Sequence, residues 1–194
     1  SPVLAGEMTL KEIMLNDEDW YAANGIRLHL GKKIVKIDRR ARMVIAEDGS
    51  REEYDRLLLA TGSNPFILPI PGKELDGVLT YRDIGDTNAM IDAASRYRHA
   101  VVIGGGLLGL EAANGLKSRG MEVTVVHLAE WLMERQLDRT AAAMLQKSLE
   151  DRGLNFLLKT QTKALIGDDG DAAGRGRVRA EQFDEDRKST RLNS

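Results

Sequence analysis

One stretch of the sequence decides the fold: Val101-Val102-Ile103-Gly104-Gly105-Gly106-Leu107-Leu108-Gly109. Its glycines fit the pattern G-x-G-x-x-G, with a β-branched apolar run before them and a helix-forming run after them. In that context Gly104 allows a tight turn, Gly106 lets the backbone approach a pyrophosphate, and Gly109 lets the helix pack closely on the strand. The helix N-terminus would stabilise the phosphates. The alternative is a tight strand-to-helix turn that binds no ligand.

The next predicted strand supplies a candidate contact to the ribose of a dinucleotide. It ends at His127, 18 residues after Gly109, where a residue that contacts the ribose is expected. A carboxylate there would accept hydrogen bonds from the ribose hydroxyls and repel a 2′-phosphate, and would therefore favour NAD over NADP. An imidazole does neither reliably. The choice between NADH and NADPH therefore stays open, and an exposed loop residue without contacts is the alternative for His127.

The elements around the glycine motif alternate between strand and helix. Such alternation favours a right-handed, parallel, doubly wound sheet of the Rossmann type, so the fold class is α/β. Upstream, a period of two predicts an antiparallel β insert. The predicted helices span residues 9–15, 16–25, 83–97, 107–119 and 138–152, and the predicted strands span residues 26–30, 34–37, 43–46, 54–60, 99–103, 122–126 and 154–158, with further strands within 161–184.

Composition excludes several classes of function. The 28 Lys and Arg against 30 Asp and Glu leave a net charge of −2, which argues against nucleic acid as a partner. The absence of cysteine excludes disulfides, thiolate nucleophiles and Cys-ligated metal sites from these 194 residues, so redox chemistry needs a bound cofactor, and we predict no metal site. The apolar runs are too short to span a membrane, and no signal peptide is visible, so a cytoplasmic location is expected.

A second motif links the chain to a family. The segment Tyr54-Asp55-Arg56-Leu57-Leu58-Leu59-Ala60-Thr61-Gly62 lies upstream of the glycine motif, which continues as Leu110-Glu111-Ala112-Ala113. In this order and spacing the two segments resemble the two-dinucleotide-binding flavoprotein reductases, the pyridine nucleotide-disulfide oxidoreductase superfamily. Within it, the segments 1–7, 20–26 and 132–138 resemble the N-terminal flavoprotein part of the large subunit of NAD(P)H-dependent nitrite reductases.

The resemblance implies cofactor contacts for several residues. Ala60, Thr61 and Gly62 would pass close to FAD, and the backbone of Ile34 would meet its adenine, with an ordinary strand residue as the alternative for Ile34. Arg82 matches an arginine near FAD in related ferredoxin-type reductases, with a surface position at a helix start as the alternative. Glu111 matches a glutamate near the nicotinamide pocket, with an exposed helix carboxylate as the alternative.

The resemblance also implies a division into domains. Residues 1–80 would form part of a FAD-binding domain and residues 81–185 an NAD(P)-binding domain. Residues 186–194 look foreign, because a common sequencing adapter read in frame would encode them. We expect that the chain is truncated at both ends, lacks the FAD pyrophosphate fingerprint, and therefore holds FAD weakly or not at all. Exposed sheet edges would then favour aggregation.

Three functions remain open from the sequence. The first is an FAD-dependent NAD(P)H oxidoreductase module that passes electrons toward nitrite reduction, with iron-sulfur and sirohaem centres only in the missing part. The second is a free-standing NAD(P)H flavoprotein reductase of a ferredoxin or rubredoxin. The third is a non-catalytic module that binds a nucleotide.

Overall fold

The computed structural model describes residues 1–167, 178–183 and 190–191. The chain divides into two compact units, one of Ile13–Ser63 and one of Ser1–Glu12 with Asn64–Ser194. The assignment of residues 1–80 to a FAD-binding domain and of residues 81–185 to an NAD(P)-binding domain stays a prediction.

Within the described residues the secondary structure comprises five helices and nine strands. The helices are α1 (Pro2–Ala5), α2 (Glu18–Ala23), α3 (Ile84–Arg96), α4 (Leu107–Ser118) and α5 (Arg139–Asp151). The strands are β1 (Ile34–Asp38), β2 (Met43–Ala46), β3 (Arg51–Glu53), β4 (His99–Ile103), β5 (Glu122–Val126), β6 (Asn155–Leu157), β7 (Thr162–Gly167), β8 (Val178–Phe183) and β9 (Thr190–Arg191).

The unit Ile13–Ser63 contains the antiparallel insert. Its sheet has the order β1-β2-β3, with both pairs antiparallel and Ile37 opposite Val44. The insert predicted from the alternation of residues 34–37 and 43–46 is confirmed. Helix α2 begins after Asp17, whose carboxylate accepts a hydrogen bond from the backbone N–H of Trp20. The helix predicted over residues 16–25 therefore forms with shorter bounds.

Two predicted strands in this unit are wrong. Residues 26–30 and 54–60 lie outside every strand, and Leu58 in the second run is 87% exposed. An apolar run forms a strand only where neighbouring backbone takes up its N–H and C=O groups. In the part of the chain that the structure describes, no sheet includes residues 54–60.

The predicted helix over residues 9–15 is also wrong. Thr9 and Glu12 do form a reciprocal capping pair, with the Thr9 N–H 2.6 Å from the Glu12 carboxylate. They close only a turn over residues 10–13. The apolar side chains Ile13 and Met14 stay exposed, and a short helix without a buried face is not stable.

The second unit contains the predicted parallel sheet. Its order is β4-β5-β6, with Val102 opposite Val125 and Val125 opposite Phe156. Helix α4 connects the first two strands and α5 connects the last two, so the predicted α/β class and these elements are confirmed. Aspartates cap two of the helices in this unit: Asp83 begins α3 in a capping box with Asp86, and Asp138 begins α5.

The main core lies in the same unit. Helix α1, which the sequence analysis missed, packs against α3 and α4. Arg119 after α4 donates hydrogen bonds to the carbonyl oxygens of Val3 and Leu4. The buried residues of this core are Leu4, Met90, Leu110, Ala112, Ala113, Leu116, Met121, Val123, Val125, Leu132, Leu149 and Leu154.

The remaining strands form an antiparallel sheet in the order β7-β8-β9. This confirms further strands within residues 161–184, although the predicted turn beyond Gly167 lies outside the described residues. Thr190 and Arg191 pair with β8 although the segment 186–194 has no strand period, because ladder bonds to the β8 backbone need no side-chain pattern. An adapter origin for this segment stays a prediction. Across the residues described, the helices all fall short of the length and apolar character that crossing a membrane requires.

Candidate dinucleotide-binding site

The glycine motif forms a tight turn between β4 and α4. Gly104 has a φ of +120°, a conformation that residues with a side chain rarely adopt. A β-carbon on Gly109 would lie 2.0 Å from the carbonyl oxygen of Gly104. The turn and the close packing of helix on strand are therefore those that the sequence pattern predicts.

The third motif residue, Gly106, has a different environment. It is the N-cap of α4 with a φ of −84°, and a β-carbon on it would meet no atom within 4 Å. Packing therefore does not require glycine at this position. Open space beside the backbone is what the approach of a pyrophosphate requires.

The start of α4 also differs from the starts of the other long helices. An aspartate side chain caps α3 and another caps α5, whereas no side chain caps α4. The first N–H groups of a helix have no partner within the helix and favour an anion. Helix α4 has 12 residues, no side-chain cap and a glycine at its N-cap. Its first N–H groups are therefore open to the phosphates of a dinucleotide.

His127 is buried beneath the turn. Its side chain is 10% exposed, and its Nδ1 lies 3.1 Å from the backbone nitrogen of Gly105. Its Nε2 lies 3.0 Å from a carboxylate oxygen of Glu134. Both ring nitrogens thus have protein partners, so the alternative of an exposed loop residue without contacts is wrong. A contact between His127 and a ribose stays a prediction.

Gly105 is constrained by the segment that follows β5. Its carbonyl oxygen accepts a hydrogen bond of 3.0 Å from the N–H of Met133. A β-carbon on it would lie 2.7 Å from Leu132 Cδ2 and 2.9 Å from His127 Cγ. The central glycine is therefore required by packing against this segment.

The sequence analysis did not identify Glu134 as part of the site. A hydrogen bond from its own backbone N–H is the largest cause that lowers the pKa of Glu134, and the hydrogen bond with His127 lowers it further. The carboxylate therefore stays ionised at neutral pH. Its only sequence signal is an acidic residue seven positions after the strand-end histidine, which is too common to single out a site.

The other predicted site residues are more exposed. Glu111 lies on α4, two residues beyond the last glycine of the motif, and its carboxylate is 3.8 Å from the backbone nitrogen of Ser1. Arg82 precedes the cap of α3, and its backbone N–H donates a hydrogen bond of 2.7 Å to Asp86. The structure brings His127 against the glycine turn. Glu111 lies on α4, the helix that follows this turn.

The residues predicted to contact FAD in the unit Ile13–Ser63 are also exposed. Ile34 is the first residue of β1 and is 47% exposed. Ala60, Thr61 and Gly62 lie outside helices and strands, with a φ of +67° at Gly62. These residues do not by themselves enclose a flavin.

Comparison with known proteins identifies relatives of the whole described fold. The chain is 53% identical over 169 residues to the nitrite reductase [NAD(P)H] of Bacillus subtilis (strain 168), which covers 87% of this chain and 21% of that protein. It is 47% identical over 167 residues to the assimilatory nitrate reductase electron transfer subunit of the same organism, covering 86% and 22% respectively. The chain thus spans about a fifth of the length of these curated relatives.

Among solved structures, the covalent putidaredoxin reductase–putidaredoxin complex has a similar fold. The TM-score is 0.85 at 29% identity, over 100% of this chain and 46% of that chain. The predicted resemblance to nitrite reductase large subunits and the predicted fold class are both confirmed. The model of the family described as pyridine nucleotide-disulphide oxidoreductase matches residues 1–190, and the chain belongs to this family.

Proposed function

We propose that this chain is part of an NAD(P)H-dependent flavoprotein oxidoreductase that passes electrons toward nitrite reduction. The observation that carries the proposal is the glycine turn before α4, with open space at Gly106 and no side-chain cap on the helix. The similarity to a nitrite reductase supports nitrite reduction as the reaction that consumes the electrons. The activity of the whole protein and its downstream redox partners are part of the proposal, because the chain spans a fifth of that relative.

The chain's own residues would bind and orient the nucleotide. The pyrophosphate would lie beside Gly106 and accept hydrogen bonds from the first N–H groups of α4. Gly104 and Gly109 set the shape of the turn that places those groups. Glu111 remains a candidate for a contact to the rest of the nucleotide.

FAD enters the proposal through membership of the family. When both cofactors are bound, NAD(P)H supplies a hydride and the flavin accepts it, so the protein contributes alignment and electrostatics. Ile34, Ala60, Thr61, Gly62 and Arg82 are the proposed contacts to FAD. Iron-sulfur and sirohaem centres would belong to other parts of the whole protein. The cytoplasmic location stays a prediction.

Substitution of Gly106 tests nucleotide binding without disturbing the fold. An alanine is compatible with a φ of −84° and meets no protein atom, so the circular dichroism spectrum of Gly106→Ala should match that of the wild type, and its Tm should fall only slightly, because alanine is a poorer N-cap than glycine. Its β-carbon would occupy the space that the pyrophosphate needs, so the Kd for NADH or NADPH should rise by about tenfold or more. Ser118→Ala, on an exposed position of the same helix, is the matched control.

Fluorescence titration with NADH and with NADPH measures both Kd values. A wild-type chain that binds neither nucleotide, or a Gly106→Ala variant with unchanged affinity, would overturn the proposed site. Failure of the complete protein to oxidise NAD(P)H in the presence of FAD would instead favour a non-catalytic nucleotide-binding module.

A ferredoxin-type reductase is the second candidate function. The similarity to the putidaredoxin reductase complex favours it, because that reductase is joined to putidaredoxin in the solved structure. The coding region beyond residue 185 distinguishes the two candidates. A cysteine-rich sirohaem region there supports nitrite reduction, and its absence from the full reading frame supports the reductase of a small electron carrier.

A further inference from the structure

We propose that His127 and Glu134 are a positioning pair that holds Gly105, the central glycine of the turn, in the conformation that binds the nucleotide pyrophosphate. This inference rests on the proposed nucleotide binding and adds to it two residues outside the glycine motif. Neither residue needs to touch the nucleotide, because both act through the backbone of the turn.

Two hydrogen bonds hold the backbone of Gly105. Its N–H donates to His127 Nδ1 over 3.1 Å in a buried position, and its C=O accepts from the Met133 N–H over 3.0 Å. Both polar backbone groups of this glycine are therefore held by the segment after β5. The peptide units on the two sides of Gly105 are thus each held by one hydrogen bond, which keeps the orientation of the neighbouring Gly106, where the pyrophosphate would approach.

The direction of the hydrogen bonds determines the tautomer of His127. A backbone N–H can only donate, so Nδ1 of His127 must be the unprotonated acceptor. The proton of the neutral ring then resides on Nε2, which donates to the Glu134 carboxylate at 3.0 Å. Glu134 thus selects the one neutral tautomer that can accept the hydrogen bond from Gly105.

Protonation of the imidazole would break its hydrogen bond with Gly105. A second ring proton would stand on Nδ1 and face the N–H of Gly105, and two donors cannot bond to each other. The turn or the ring must then move, and the affinity for the nucleotide falls. The neighbouring charged groups are Glu134 with Arg135 on the same segment, and the Glu130–Lys159 ion pair beside β6.

Two substitutions separate the two hydrogen bonds of the ring. In His127→Asn the side-chain oxygen can take the place of Nδ1, so the acceptor for Gly105 is kept and the ring proton is lost. In His127→Gln the amide can reach toward Glu134, but the acceptor beside Gly105 is lost. A buried N–H without a partner should weaken binding of NADH by about tenfold, whereas the asparagine variant should stay within about twofold of the wild type at pH 8.

A pH series supplies a readout that a merely structural role would not move. The wild-type Kd for NADH should rise on acidification, because a protonated ring cannot accept the hydrogen bond from Gly105, and the His127→Asn Kd should not. Equal affinities of the asparagine and glutamine variants, or the same pH dependence in the wild type and the asparagine variant, would overturn the proposal.

Amide exchange separates this proposal from the proposed function. The Gly105 N–H should exchange with solvent faster in His127→Gln than in His127→Asn or the wild type, whether or not a nucleotide is present. A wild type that binds no NADH or NADPH overturns the proposed function, and the exchange rates then decide the positioning role alone. Wild-type binding with unchanged exchange and affinity in His127→Gln overturns only the positioning role.

Discussion

The carbonyl oxygen of Gly104 lies 2.0 Å from the point that a β-carbon on Gly109 would occupy. The start of α4 can therefore approach the end of β4 only because Gly109 has no side chain. The obstructing atom belongs to the backbone of a turn in which Gly104 itself has a φ of +120°. A backbone oxygen cannot move aside as the end of a flexible side chain can, so the turn itself would have to shift.

Gly109→Ala should therefore destabilise the chain and disrupt the turn together. We expect a loss of about 1–3 kcal/mol in the free energy of unfolding, as for other overpacked sites, and loss of NADH binding. Urea denaturation followed by circular dichroism measures the first effect. Comparison with Gly106→Ala, which should lose binding with only a slight loss of stability, distinguishes the packing glycine from the glycine beside the phosphate. Equal stabilities of the two variants would contradict the prediction.

The contact between α1 and α4 also depends on a glycine. A β-carbon on Gly115 would lie 2.6 Å from Cγ of Leu4, a side chain that is fully buried. Gly115→Ala should cost about 1–3 kcal/mol of stability through overpacking.

A second substitution checks that this cost arises at Leu4. Leu4→Ala leaves a cavity and should be destabilising alone by about 2–5 kcal/mol. In the double variant the alanine at 115 no longer meets a large side chain, so the combined loss should be smaller than the two single losses added. Strict additivity in urea denaturation would show that the glycine is not constrained by Leu4.

The capping box of α3 should contribute measurably to stability. The Asp83 carboxylate accepts a hydrogen bond of 2.9 Å from the Asp86 N–H, and the Asp86 carboxylate accepts from the Asp83 N–H. Asp83→Ala should cost about 0.5–2 kcal/mol. Asp92→Ala removes only an exposed ion pair with Arg96 and should change stability by less than about 0.5 kcal/mol. A larger loss in Asp92→Ala than in Asp83→Ala would contradict the role of the cap.

Glu134 should make stability depend on pH in the acid range. Hydrogen bonds from its own N–H and from His127 lower the pKa of Glu134 below the reference value of 4.5 in the folded state. The unfolded chain then binds this proton more readily, so the carboxylate contributes stability above about pH 4.5 that is lost as the pH falls through the lowered folded pKa.

Glu134→Gln removes that titration and is the direct check. The variant should be less stable than the wild type at pH 7, and the difference should shrink between pH 5 and pH 3. Urea midpoints measured across this range test it. A difference that stays constant with pH would show that the contribution of Glu134 does not come from its ionised form.

The local sequence pattern was sufficient to predict those elements whose own residues specify their structure. The glycine turn, the strands that flank it and the caps Asp83 and Asp138 were all predictable, because turn geometry, the change from period 2 to period 3.6 and capping residues act within a few positions. The same reasoning failed at residues 9–15 and 54–60. The first has a correct cap without a buried face, and the second has strand composition without a neighbouring strand.

The amino-acid sequence alone therefore established the α/β class, the family resemblance and the candidate phosphate turn. Only the tertiary structure decided how that turn is supported. His127 and Met133 reach Gly105 across 22 and 28 positions of sequence, and Glu134 acts through His127, because the parallel sheet places the end of β5 beside the end of β4. A contact of that kind has no local period or spacing. It depends on which strands pair and on which backbone groups the turn leaves without partners, and both are properties of the folded chain.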